Sequence, residues 1–159
     1  MSVWLPIIVA SVATVTVAGL GAALTTLDDW YRNLRKPTWQ PPDWLFGPAW
    51  TLIFTLAATA AVMAWNAASG SGKILIVSAF TLNGALNIVW SILFFRLRRP
   101  DWALWEVAVL WLSVLSLIIV TAQFSNLAAW LLVVYLIWVA FAAFLNFTVV
   151  KLNPPFGRR

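Results

Sequence analysis

WYRNLRKPTWQPPDWLFGPAW, residues 30–50, is the longest stretch of this 159-residue chain that does not read as a membrane span. Trp30, Trp39, Trp44 and Trp50 fall in it, with Trp4 on the preceding apolar run, and so do Pro37, Pro41, Pro42 and Pro48. Proline fixes φ and removes a backbone donor, so prolines at this density make a stiff, non-helical connector. A stiff loop studded with flat amphipathic rings suits covering a cavity that holds a flat, apolar ligand. The rest of the chain then has to supply the cavity.

Composition sets the solvent. The chain is 63% hydrophobic and 9% charged, against roughly 25% charged in soluble proteins. No soluble fold of this length hides that much apolar surface, so the surroundings are lipid, and the length allows one compact domain, 1–159. There is no cysteine and no histidine, which removes disulfides, thiolate metal sites and the commonest acid–base catalyst. No metal is expected. The net charge of +5 comes from short basic clusters between apolar runs, a topology signal and not a nucleic-acid patch. The N-terminus lacks the basic region and small-residue cleavage site of a signal peptide, so Val3 onward reads as a retained span.

A hydrocarbon core of about 30 Å needs roughly 20 apolar residues of helix. Runs of that kind lie at about 3–26, 44–67, 74–95, 102–122 and 127–150, with loop one at about 27–43. The fold class is an all-α integral membrane protein, a bundle of five transmembrane helices. Continuous apolar runs exclude the alternation of barrel strands. Asp43 reads as the N-cap of a helix opening at Trp44, with Pro48 in its first turns, where a missing N–H is cheap. Ala68 to Gly72, Ala-Ser-Gly-Ser-Gly, reads as a turn. An odd number of spans puts the termini on opposite sides. Arg32, Arg35, Lys36, Arg96, Arg98, Arg99, Lys151, Arg158 and Arg159 share one side and Lys73 holds the other, so loop one and the C-terminus are expected in the cytoplasm and the N-terminus opposite. Trp44, Trp102, Trp105 and Trp130 near helix ends form an interfacial belt; Trp90, Trp111 and Trp138 lie deeper.

Polar groups within a span need a partner or a purpose. Asn83, Asn87 and Ser91 fall on one face of the third span beside Trp90, and Tyr135, Trp138, Ala142 and Asn146 on one face of the fifth. Trp50 and Phe54 share a face of the second span with Ala57, Ala58 and Ala61. Turned inward, these faces make a pocket with aromatic walls, small-residue space and a few amides. Asn83 and Asn146 read as helix–helix partners; Asn87 divides evenly between that role and ligand contact. Ala18, Gly19, Ala22 and Ala23 let a helix or a ligand approach the first span. Glu106 is the only acid inside an expected span, one turn into the fourth helix, placed to snorkel outward or to pair with Arg98 or Arg99. Without a carboxylate relay, an ion-coupled pump is disfavoured. No phosphate loop, metal cluster or nucleophilic set is present, which leaves indole redox chemistry or photochemistry as the open catalytic route.

WYRNLRKPTWQPPDWLFGPAWT (residues 30–51), LNIVWSILFF (86–95) and YLIWVAFAAFLNF (135–147) resemble, in order along the chain, the signature segments of the TspO/MBR family, the tryptophan-rich sensory proteins and translocator (peripheral benzodiazepine receptor) proteins. The resemblance implies a five-helix bundle, usually a homodimer, that binds tetrapyrroles such as protoporphyrin IX and haem, and in many members sterols and isoquinoline or benzodiazepine drugs. It implies a pocket under loop one lined by Tyr31, Trp39, Pro41, Phe46, Trp50, Phe54, Asn87, Trp138 and Ala142, and no cofactor beyond the porphyrin or haem ligand itself. Transport of these ligands or stress- and light-responsive regulation is the expected role. The alternative implied is light- and oxygen-dependent porphyrin degradation through Trp50 and Trp138. Two positions depart from the family pattern: Phe147 stands where the sterol-recognition pattern has tyrosine, and Asn83 where a glutamine is expected.

Overall fold

The computed structural model describes residues 4–153 and 155–157. The expected start at Val3 and the basic Arg158 and Arg159 lie outside these residues. Helices α1 (Trp4–Leu24), α3 (Phe46–Ala67), α4 (Ser71–Ser91), α5 (Pro100–Ala122) and α6 (Asn126–Leu152) are the long elements, and α2 (Asp29–Asn33) is a short helix in loop one. Among the described residues, five segments are long and apolar enough to cross a membrane. No strand occurs among the described residues.

Local chemistry decides where these helices begin and end. The turn between α3 and α4 is shorter than expected, because Gly70 takes φ 51°, which favours glycine, and the chain is helical again from Ser71. Helix α5 opens at Pro100 and not near Trp102, with the proline in the first turn, where its missing N–H costs nothing. The Ser125 hydroxyl accepts the Ala128 amide at 3.2 Å and caps α6. Asp43 is not a cap. It begins a single 3-10 turn, Asp43–Leu45, that follows Pro42 and runs into α3, and its carboxylate accepts the Tyr31 hydroxyl instead. At its far end α4 widens into a π turn, Ile92–Arg96, which turns the adjacent rings of Phe94 and Phe95 both into the interior.

The core is built on α5 and α6. Val107, Leu110 and Val114 pack with Tyr135 and Val139 and with Ile53 of α3. A second group, Ala60, Leu117, Ala128 and Leu132, continues toward the opposite end. Helix α1 packs against α3 and α4 but has no buried residue among those described.

Polar side chains fasten α4, α5 and α6 together. The Tyr135 hydroxyl, 2% exposed, donates to Asn83 Oδ1 at 3.0 Å and accepts from Asn87 Nδ2 at 3.2 Å. Asn83 Nδ2 donates to Ser113 Oγ at 2.8 Å, and the Ser113 hydroxyl donates to the Leu110 carbonyl at 2.7 Å. Nearer loop one, Trp90 Nε1 donates to Asn146 Oδ1 at 3.2 Å and Asn146 Nδ2 donates to the Pro100 carbonyl at 2.9 Å. Asn83 and Asn146 are thus helix–helix partners, and the shorter amide at position 83 still spans to both neighbours. Glu106 pairs with neither arginine proposed for it: Arg98 binds Asp28 and Arg99 binds Asp101. Both Glu106 carboxylate oxygens are buried without a hydrogen bond. Replacing Tyr135 by Phe strips a partner from both asparagines, and should cost about 1–2 kcal/mol. The check is a lowered midpoint of thermal unfolding in detergent; an unchanged midpoint would show that the network carries no stability.

Candidate functional site

Beneath loop one the bundle encloses a cavity of about 540 Å³, within the usual range for small-molecule sites. Each wall comes from a patterned face. Trp50 and Phe54 of α3 stack at 5.2 Å and 28°, and Trp138 of α6 meets Trp50 edge-on at 6.3 Å and 84°. Phe46 sits edge-on to Trp138 at 5.8 Å. Across from them Trp90 and Phe94 stack at 5.1 Å. Ala18, Gly21 and Ala22 of α1 and Ala142 of α6 leave room between the rings. Asn87, Ser91 and Asn146, with Thr25 and Thr51 on the α1–α3 side, are polar groups in the wall, and Lys36, Gln40 and Asp43 lie at the loop end.

Loop one is held shut from several directions. Asp28 caps α2 by accepting the Tyr31 amide at 3.1 Å, and pairs with Arg98 at 2.9 Å. The hydrogen bond from the Tyr31 amide holds the Asp28 carboxyl below its ordinary value; burial opposes it, and the charge and hydrogen bond of Arg98 add to the lowering. Arg98 itself takes φ 53°, an unusual value for a side chain of this size, where the π turn ends. Arg35 and Asn153 exchange two bonds: the Arg35 amide donates to Asn153 Oδ1 and Asn153 Nδ2 donates to the Arg35 carbonyl, each at 3.0 Å. Lys36 Nζ donates to the Tyr31 carbonyl at 2.7 Å and lies 4.1 Å over the Tyr31 ring. The Tyr31 hydroxyl donates to Asp43 at 2.9 Å and accepts from Gln40 at 3.4 Å. Each neutral bond contributes about 0.5–1.5 kcal/mol, and the exposed ion pair about 0–1 kcal/mol, so the flap closes by their sum and by proline stiffness.

Of the residues singled out in the sequence, Tyr31, Phe46, Trp50, Phe54, Asn87, Trp138 and Ala142 line the cavity. Trp39 and Pro41 are not in its lining. Trp39, 42% exposed, stacks on Phe144 at 5.2 Å and meets Phe141 edge-on at 6.0 Å, fastening loop one to the flank of α6. Of the three basic residues of the loop only Lys36 reaches the cavity wall. The lining adds Lys36, Gln40, Asp43, Trp90, Phe94, Phe95 and the α1 stripe. Trp90 was marked by its place beside Asn87, and Ala18 and Ala22 by their four-residue spacing. Nothing in the local sequence marked Gln40. The arrangement presents flat rings, small gaps, one ammonium and one carboxylate, a set suited to gripping a planar apolar molecule with a polar edge.

The family model described as TspO/MBR family matches residues 7–152. The chain belongs to the TspO/MBR family. It is similar to the tryptophan-rich protein TspO of Chlorobaculum tepidum, at 38% identity over 126 residues, covering 79% of this chain and 80% of that protein. To the tryptophan-rich sensory protein of Cereibacter sphaeroides it is 39% identical over 142 residues, 86% of this chain and 88% of the relative. The pig translocator protein aligns over 164 residues at 34% identity, covering 98% of this chain and 94% of the relative. Membership of this membrane-protein family and the five apolar helices agree on a bilayer as the setting of the TspO/MBR cavity.

The Tyr31 hydroxyl is pushed up to about 12, first by burial and then by its hydrogen bond to Asp43. A raised value means that this contribution to loop closure is complete below the ordinary tyrosine value of 10.0 and is lost as pH climbs toward 12. In an absorbance titration of tyrosinate, the step that disappears in Tyr31→Phe should lie near 12 and move down in Asp43→Asn. A Tyr31 step at the ordinary value would refute the closed geometry of the loop.

Proposed function

We propose that this protein is a membrane receptor or carrier for tetrapyrroles, porphyrins such as protoporphyrin IX and haem, acting in their transport or in stress- or light-responsive regulation. The observation that carries the reading is the cavity of about 540 Å³ walled by Trp50, Trp138 and Trp90 with their stacked phenylalanines. Each well-placed ring pair adds about 0.5–1.5 kcal/mol beyond burial. Micromolar affinity corresponds to −8.2 kcal/mol, so burial of a few hundred Å² of macrocycle at ~25 cal/mol per Å² supplies the larger part. Lys36 is the cation placed to meet an acidic substituent at the loop end. Sterols and isoquinoline or benzodiazepine drugs are further candidate ligands, and a homodimer is the proposed assembly. We place loop one and the C-terminal end of α6 in the cytoplasm, on the bias of Arg32, Arg35, Lys36, Arg96, Arg98, Arg99 and Lys151 at that end against Lys73 at the other.

Protoporphyrin IX should quench the intrinsic tryptophan fluorescence of the purified protein saturably. The double substitution Trp50→Phe, Trp138→Phe should weaken retention about tenfold or more, while Trp44→Phe, on the exposed rim, should not. A double mutant that titrates like the parent removes the indole cage.

A second reading is favoured by the perpendicular contact of Trp50 with Trp138 in the cavity wall. An indole touching an excited porphyrin can donate an electron to it, with dioxygen as the final oxidant. Illumination in air separates the two functions: a binder leaves the porphyrin absorption band intact relative to free pigment, whereas an enzyme bleaches several equivalents to a distinct product.

A further inference from the structure

The cavity wall is closed by the aromatic faces of α3, α4 and α6 but thin where the end of α1 runs beside the first turns of α3. There the residues that line the cavity also face outward: Ala22 and Thr25 on one side, Gly47 and Thr51 on the other, are all exposed. A Cβ added at Gly21 or Gly47 would meet nothing within 4 Å, so there is open space beside both glycines. On its other side α1 packs closely on α4, where a Cβ on Gly84 would come within 3.1 Å of Val17. The seam is also dressed for lipid. Thr25 and Thr51 donate their hydroxyls back to the Gly21 and Gly47 carbonyls at 2.8 and 2.9 Å, leaving their methyl groups as the outward chemistry. Helix α1 has no buried residue among those described, whereas loop one is tied to Arg98, Asp43 and Asn153.

We propose that flat apolar ligands reach the cavity sideways, from within the bilayer, through the seam between α1 and α3, while loop one stays shut. This rests on the ligand-binding reading above and adds the route and the phase from which the ligand comes.

The chain has no cysteine, so Thr51→Cys places a single thiol on the seam. With the protein in phosphatidylcholine vesicles, that thiol is capped with benzyl methanethiosulfonate, and protoporphyrin IX is delivered from donor vesicles while tryptophan quenching is followed in time. The cap should slow association and dissociation together, by about tenfold or more, as expected of a blocked gate. Reductant should restore both rates. Loosening the flap with Asn153→Ala should not speed uptake. An association rate indifferent to the cap, weaker retention without slower association, or faster uptake in Asn153→Ala each overturns the lateral route. If Thr51→Cys does not fold, Gly47→Cys carries the same cap to the same seam. Failure of the unmodified protein to retain protoporphyrin at equilibrium defeats the binding reading, and the route with it; normal retention with unaltered rates defeats the route alone.

Discussion

Inside a bilayer a hydrogen-bonding group has no water to fall back on, and every polar side chain placed there must find its partner in the protein. In this bundle bonds between helices meet the requirement for the asparagines and Tyr135, while the Glu106 carboxylate, the Thr121 hydroxyl and the Trp138 indole N–H are buried without a hydrogen bond. Tyr135 ties α6 to α4 through Asn83 and Asn87, Asn83 ties α4 to α5 through Ser113, and Asn146 joins Trp90 to the Pro100 carbonyl. Those bonds fix the rotation of α4, α5 and α6 about their own axes. That rotation in turn decides which rings face inward. Trp138 and Ala142 lie between Tyr135 and Asn146 on one face of α6, so pinning the outer two delivers the inner two to the cavity. The exposed threonines follow the same rule with a local solution: Thr51, Thr55, Thr59 and Thr148 each donate to a carbonyl four residues back.

Much of this was legible because lipid makes strong demands on sequence. Charge-free runs of the length of a bilayer core can hardly be anything but spans, and period-3.6 placement of Asn83, Asn87, Tyr135 and Asn146 marks inward faces without any knowledge of packing. Helix ends were harder, because they turn on single residues whose conformation depends on context, such as Gly70 at positive φ and Pro100 at the start of α5. Asp43 has the residue type of a cap, and only the folded loop reveals that Tyr31, twelve residues earlier, takes its carboxylate. Trp39 is a comparable case. Its neighbours Phe141 and Phe144 lie about a hundred residues away on the flank of α6, so its place outside the cavity depends on how the loop drapes over the bundle, which proline content alone does not specify. Arg98 and Arg99 were within reach of Glu106 by sequence, but Asp28 and Asp101 lie nearer in space.

Loop one draws its rigidity from two independent sources. Prolines lower the entropy of the open state, so fewer contacts are needed to hold the closed one. The contacts are then spread over separate elements: the turn after α4 through Asp28 and Arg98, the end of α6 through Asn153, and the 3-10 turn before α3 through Asp43. Breaking any one leaves the others in place. A cover of this kind shields the cavity well but is expensive to lift, since lifting it exposes Tyr31 and the Phe94–Phe95 pair packed beneath it.

A cavity closed on every side by equally firm walls would exchange its contents slowly, whatever its affinity. The division of labour between α1 and the remaining helices resolves that conflict. The aromatic faces of α3, α4 and α6 are fixed by buried packing and by the polar bonds of the core, so the geometry that selects a flat guest need not loosen when the guest arrives. Helix α1 contributes small residues to the cavity and gives up no buried side chain when it shifts. In lipid such a shift carries little hydrophobic penalty, because acyl chains are as apolar as the side chains they replace. The same substitution in a water-soluble bundle would expose an apolar stripe to water and would be opposed. A helix with no buried residue among those described is therefore compatible with a stable fold because the solvent is a bilayer, and on the proposed lateral route it leaves selectivity to the aromatic faces and exchange to the α1 side.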